Sequence, residues 1–195
     1  MPAKPAAPSL RGFPPVIDRH IERLILGSFP SEASLAAGQY YAHPRNQFWR
    51  LLSDLLGEPL VTLPYRQRLV RVLTHRLGVW DVLHACDRQG SGDAAIRNQK
   101  DNAFARLHRL TPHLSSVAFN GHAAGRYAGG FAVAGFRTTV LPSSSAAHAG
   151  RSYEQKRAVW RAWWTGAPPE SRPALGANRS RCGLMGGDYG AAKLP

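Results

Sequence analysis

Between Gly27 and Trp49 the chain gathers side chains capable of chemistry: Gly27-Ser28-Phe29-Pro30-Ser31, then Tyr40-Tyr41-Ala42-His43-Pro44-Arg45-Asn46-Gln47-Phe48-Trp49. A core has little use for that mixture of glycine, proline, serine, tyrosine, histidine and amide. A pocket does, because backbone N–H groups and a few polar side chains converge there on a ligand. The flat faces of Tyr40 and Tyr41 offer stacking surfaces for a base or a sugar. Two more polar loops follow apolar runs: His84-Ala85-Cys86-Asp87-Arg88-Gln89-Gly90-Ser91-Gly92-Asp93 and Pro142-Ser143-Ser144-Ser145. The three serines either hold backbone phosphates through hydroxyl and amide donors or form an ordinary turn. No loop has the lysine or glycine spacing of a P-loop or a dinucleotide fingerprint, which disfavours a nucleotide cofactor. The Gly-x-Ser-x-Gly elbow of a serine hydrolase is also missing.

Alternating strands and helices must position these loops. Ile21, Leu24, Ile25 and Leu26 predict a short buried strand ending at Gly27. Pro44 suits the first turn of a helix whose apolar face is Phe48, Leu51, Leu52, Leu55 and Leu56, stopped by Gly57. A second helix is expected from Pro64 to about Arg76, and a second strand over 78–83. Asp101 is placed to cap a helix carrying Phe104, Leu107 and Leu110. Further strands are expected over 116–119 and 138–141, with a short helix between them to about Gly129. Ser152-Tyr153-Glu154-Gln155 has the form of a capping box that opens a last helix through Trp164, with Tyr153, Trp160 and Trp164 on one face. This order predicts an α/β three-layer sandwich, a central four-stranded, mostly parallel sheet flanked by helices. Ligands bind such sheets off the carboxyl ends of the strands, so the polar loops should share one edge. The proline-rich residues 1–20 read as a flexible lead-in, 21–164 as one domain, and 165–195 as a disordered tail.

Charge narrows the partner. Hydrophobic residues make up 44% of the 195, ordinary for a globular chain, but the net charge is +13. Each of the two terminal segments carries +2, so +9 belongs to residues 21–164. Basicity of the domain itself implies a polyanion, nucleic acid before membrane. Cys86 and Cys182 have no metal-ligand spacing and form no disulfide framework. No apolar run approaches the roughly 20 residues that span a bilayer, and no signal peptide is evident, so a cytoplasmic monomer is expected.

The first motif, with Gly78-Val79-Trp80-Asp81-Val82-Leu83 and Leu141-Pro142-Ser143-Ser144-Ser145, resembles the uracil-DNA glycosylase superfamily, and within it the hypoxanthine-DNA (deoxyinosine) glycosylase branch. The resemblance covers roughly residues 21–164. It implies hydrolysis of the N-glycosidic bond of a deaminated base, uracil or hypoxanthine, in single- or double-stranded DNA, with neither metal nor cofactor. The target nucleotide leaves the stack, and basic and serine groups hold its flanking phosphates.

On that resemblance Tyr41 stacks on the everted base, and Asp81 and Asn120 read its edge beside Phe29. Ser28, Ser31, Ser143, Ser144 and Ser145 contact phosphate. Phe29 stands where many superfamily members carry the acid or amide that positions water, so Asn46 is the implied catalytic substitute, orienting water toward an oxocarbenium-like sugar. Asn46 otherwise caps the following helix. His43 either donates to the departing base or braces its loop. Leu141 stands where relatives place a histidine or asparagine, leaving His148 to assist departure of the base from a shifted position. His148 and Arg151 are the candidates for the wedge that fills the vacated stack. Phe29 and Leu141 also motivate an alternative, a catalytically weak protein that binds damaged or abasic DNA. An enzyme acting on free nucleotides would leave the +9 without purpose.

Overall fold

The apolar run ending at Gly27 forms the centre of a sheet. In the computed structural model, which describes residues 10–166, β2 (Arg23–Gly27) lies between β3 (Leu77–Asp81) and β6 (Ser116–Asn120), and β7 (Arg137–Leu141) completes the order β3-β2-β6-β7. All three pairings are parallel. Alternate side chains of these strands leave by opposite faces. Leu24, Leu26, Trp80, Val117 and Phe119 pack on one side with Phe131 and Phe136. Ile25, Leu77, Val79, Ala118 and Leu141 pack on the other with Phe48, Leu51, Leu52 and Trp160. Burial of each such side chain contributes roughly 1.5–3 kcal/mol. The expected three-layer α/β sandwich is therefore present, and its central sheet is parallel throughout.

The helices on the second face are α2 (Phe48–Leu56), α3 (Tyr65–Thr74) and α7 (Tyr153–Thr165). The capping box forms at Ser152 and Gln155. Trp160 of α7 is fully buried, edge-on to Phe48 at 5.9 Å, and its indole N–H donates to the Pro142 carbonyl at 3.0 Å. Shorter helices, α1 (Glu32–Ala37), α4 (Leu107–Leu110), α5 (His122–Gly125) and α6 (Ala128–Val133), complete the chain.

Several expectations fail on local detail. α2 starts at Phe48, because residues 43–46 form a turn in which the Asn46 N–H donates to the His43 carbonyl. Pro44 therefore stands outside the helix. The loop expected over 84–93 instead begins with β4 (Leu83–Asp87), which pairs antiparallel with β5 (Arg97–Asp101) and with β1 (Leu10–Arg11) in a second sheet. All five residues of β5, Arg-Asn-Gln-Lys-Asp, are exposed, so no apolar alternation marks them. Asp101 closes that strand and accepts the Tyr127 hydroxyl at 2.5 Å; it caps no helix. The lead-in expected over 1–20 fails from residue 10 on, since β1 pairs with β4 and Val16 bridges Val79. Residues 1–9 and 167–195, which hold the rest of both expected terminal segments and Cys182, lie outside the described residues.

Candidate active site

Strand register brings the loops together. Gly27 pairs with Asp81, Leu26 with Phe119 and Asn120 with Leu141, so the four strands end at one level. Around those ends is a cavity of about 110 Å³ lined by residues 27–31, Ser34, Tyr40, Tyr41, Asn46, Asp81, Ser91, Asp93, Asn120 and residues 143–145. A roomier cavity, about 510 Å³, opens at the opposite end of the strands beside Arg23, Arg137 and Trp163. Neither acid nor amide side chains line that one, whereas both line the smaller cavity.

Gly27 is dictated by its neighbours. A Cβ there would lie 2.3 Å from Asp81 Oδ1 and 2.8 Å from the Tyr41 hydroxyl, so both side chains occupy the space that its missing side chain leaves. Tyr41 has φ +54°, a left-handed conformation unfavourable for a tyrosine. Its ring stacks on Phe48 with centroids 3.7 Å apart and planes 14° apart. Tyr40, just before it, is fixed by three hydrogen bonds. Its N–H donates to the Tyr65 hydroxyl, its own hydroxyl donates to the Pro14 carbonyl, and its carbonyl accepts the Trp49 indole N–H.

Asp81 is 3% exposed, and its Oδ2 finds no hydrogen-bond partner among the described residues. Burial, with the Asp93 charge adding to it and Arg88 opposing, raises the Asp81 carboxyl to about 7. Burial and the Asp81 charge likewise push the Tyr41 phenol far above its usual range, so Tyr41 stays neutral.

Across the cavity the polar groups are paired. The Asn120 Nδ2 donates to Ser144 Oγ and its Oδ1 accepts the Ser144 N–H, each at 2.8 Å. The Ser144 carbonyl accepts the Gln47 N–H at 2.9 Å. Behind this loop the Lys156 ammonium, on a side chain 1% exposed, donates to Gln47 Oε1 at 3.0 Å and to the Ser145 carbonyl at 3.2 Å. Desolvation lowers its pKa. One lysine thus joins the turn that carries Asn46 to the serine loop.

Of the residues singled out from sequence, Ser28, Phe29, Ser31, Tyr41, Asn46, Asp81, Asn120, Ser143, Ser144 and Ser145 meet at this cavity. Several arrive with partners. Asn46 Oδ1 accepts the Phe48 N–H at 3.0 Å, the capping geometry, and leaves Nδ2 for other work. Ser144 is fully buried with its hydroxyl on Asn120, which suits bracing rather than direct phosphate contact. The Ser31 hydroxyl caps α1. His43 and His148 are not among the lining residues. His43 Nδ1 accepts the Arg45 N–H, bracing its turn, and His148 is exposed on the loop beyond Ser145.

Residues the sequence reading passed over also reach the site. Asp93 accepts the Ser28 hydroxyl at 2.6 Å, and the Ser91 hydroxyl accepts the Glu32 N–H at 3.1 Å. Arg88, 8% exposed, donates to the Pro30 carbonyl and lies over the Phe29 ring at 5.1 Å. The signal for them was the paired glycines of Gly90-Ser91-Gly92-Asp93, whose loop reaches the site because β4 and β5 fold it back. Among the described residues no group of three or more His, Cys, Asp or Glu could hold a metal ion.

Known proteins resemble this chain in sequence and fold. The sequence profile of the uracil DNA glycosylase superfamily matches residues 14–165. A Methanosarcina barkeri protein named hypoxanthine DNA glycosylase is 41% identical over 150 residues, 77% of this chain and 94% of that one. A Methanosarcina acetivorans protein of the same name is 41% identical over 152 residues, 78% and 96% of the two chains. The solution NMR structure of a Methanosarcina acetivorans protein, described as a candidate uracil DNA glycosylase, superposes with a TM-score of 0.71 at 40% identity, covering 80% of this chain and 98% of that one.

Proposed function

The chain belongs to the uracil DNA glycosylase superfamily, and from that premise we propose that it is a monofunctional DNA glycosylase that removes deaminated bases, hypoxanthine foremost and uracil second, and leaves an abasic site. The observation that carries the reading is the convergence of Tyr41, Asn46, Asp81 and the serine loop on one cavity at the carboxyl ends of the sheet. The names of the two Methanosarcina relatives favour hypoxanthine.

In this reaction the bond between C1′ and the base nitrogen breaks, and its electron pair leaves with the base. A water oxygen bonds to C1′, and its proton passes to the base or to solvent. Tyr41, backed by Phe48, gives the everted base a flat wall. Asn46 orients the water through its free Nδ2. Its N–H donates to the water oxygen, which keeps a lone pair for C1′, and takes no proton from it, which suffices where the sugar is already cationic. Ser28, Ser143 and Ser145 contact flanking phosphates, supported by the excess positive charge. Among the described residues no lysine lines the cavity, which fits direct hydrolysis rather than a Schiff base. Residues of a single chain line the cavity, which supports a monomer, and no described helix is long and apolar enough to cross a membrane. We place the enzyme in the cytoplasm, with its DNA.

The test is incubation with oligonucleotides carrying a single inosine or a single uracil, followed by alkali. Strand cleavage at the inosine is expected. Intact strands with both substrates would end the proposal.

A further inference from the structure

The deaminated bases share one chemical edge. Hypoxanthine presents N1–H beside C6=O, and uracil presents N3–H beside C4=O: a donor next to an acceptor. A protein group that pairs with both atoms must offer an acceptor next to a donor. Asn120, an amide at the strand ends, has the right atoms, but both ends of its side chain are engaged by Ser144. Asp81 is not so engaged. It lines the cavity, is almost wholly buried, forms no ion pair among the described residues, and keeps Oδ2 without a partner.

We propose that Asp81 reads the base as a neutral carboxylic acid, accepting the ring N–H on one oxygen and donating its own proton to the adjacent carbonyl. A carboxylate would set two acceptors against the base and repel its carbonyl oxygen. The surroundings favour the proton. Asp93 faces Asp81 from the loop after β4 with like charge, and Tyr40, Tyr41 and Tyr65 contribute neutral phenols from the loop before α2 and from the start of α3. Arg88, from the β4–β5 connection, is the opposing cation; its Nη2 donates to the Pro30 carbonyl, its guanidinium lies over the Phe29 ring, its Nε and Nη1 have no partner among the described residues, and it forms no ion pair with Asp81. The carboxyl accordingly titrates near neutrality. The acid can also turn its proton toward a ring nitrogen, so the assignment concerns affinity for the lactam edge and leaves rejection of adenine and cytosine to other contacts.

The inference rests on the glycosylase reading, and two measurements separate the failure of each. First, single-turnover excision from an inosine-containing duplex is followed between about pH 5.5 and 8, a range that spans a carboxyl titrating at about 7 and stays below ionisation of the lactam N–H itself. The wild-type rate should fall about tenfold per pH unit on its alkaline side, since the productive fraction halves at the pKa and then drops a decade per unit. Asp81→Asn, which always has one donor and one acceptor, should retain excision within about tenfold of the wild-type maximum and lose that alkaline limb. Asp81→Leu, if it folds, should lose about 100-fold or more at every pH, as a site whose polar partner is gone does. An alkaline limb that persists in Asp81→Asn, or a wild-type rate that rises with pH, overturns the proposal. A merely structural role for Asp81 would not remove the limb in the amide variant.

Second, calorimetry of free hypoxanthine binding at pH 8 in buffers of different ionisation enthalpy reads proton uptake without any reaction. The wild type should take up part of one proton per base bound, and Asp81→Asn none. Equal uptake by both, or none by either, overturns the proposal. A protein that released no base at any pH yet took up the proton would lose the glycosylase reading and keep this one.

Discussion

The two walls of the cavity are built on opposite plans. On the side of β3, Asp81 and Tyr41 crowd over Gly27, and Asp81 Oδ2 has no hydrogen-bond partner among the described residues. On the side of β6 and β7, Asn120, Ser144, Gln47 and Lys156 form a chain of bonds that uses both ends of the Asn120 side chain. A buried polar atom without a partner costs roughly 1–3 kcal/mol. Such an atom calls for an explanation, and beside a cavity a ligand that completes it is one. On the proposed reading, the difference gives recognition to the first wall and rigidity to the second.

The largest effect on this contrast should come from Gly27→Ala. The added methyl collides with Asp81 Oδ1 and the Tyr41 hydroxyl, and β2 is too tightly paired on both sides to retreat. Excision is expected to fall about 100-fold or more, because misplacing a positioned group by about 1 Å costs that much. A variant within threefold of wild type would show that the first wall does not have to be so crowded.

Next in size is the pH dependence of stability. The Asp81 carboxyl is raised in the folded protein to about 7 from an ordinary 3.8. Between those values the folded state holds a proton that the unfolded chain has lost, so ionisation of Asp81 erodes stability as pH rises from about 4 to 7, and the loss is complete above 7. Asp81→Asn removes that loss. Its unfolding free energy at pH 8 should exceed the wild-type value by up to about 4 kcal/mol, and by much less at pH 4.5. Urea titrations at the two pH values check this, and an equal difference at both would mean that the first wall bears no charge penalty.

Asn120→Ala probes the second wall. It strips the Ser144 hydroxyl and N–H of their partners in a buried loop, and should lower stability by about 2 kcal/mol at either pH. Excision should weaken less than in Gly27→Ala, because Lys156 and Trp160 still hold residues 142–145 from behind. If Asn120→Ala abolished excision in a protein of wild-type stability, the division between the walls would be reversed.

Much of the scaffold was legible locally. The apolar runs ending at Gly27, over 78–83, over 116–119 and over 138–141 became the four parallel strands, except that the second ends at Asp81 and Leu83 opens β4 instead, and Ser152 with Gln155 made the expected capping box. Glycine- and serine-rich loops after those strands marked the edge where the site lies. These signals survive in sequence because strand periodicity and helix caps are satisfied within a few residues. The second sheet was not legible, since β5 is wholly exposed and carries no apolar alternation. Nor could the polar residues of the loops be sorted into ligand-facing and bracing groups. That sorting depends on partners 24 residues apart for Asn120 and Ser144, 65 for Ser28 and Asp93, and 109 for Lys156 and Gln47. The sequence by itself determined a basic α/β domain with its chemistry at one sheet edge. Only the tertiary structure decided which polar atoms there are already bonded, because a hydrogen bond between distant residues exists only once the chain has returned on itself, and burial then fixes the cost of any atom left over.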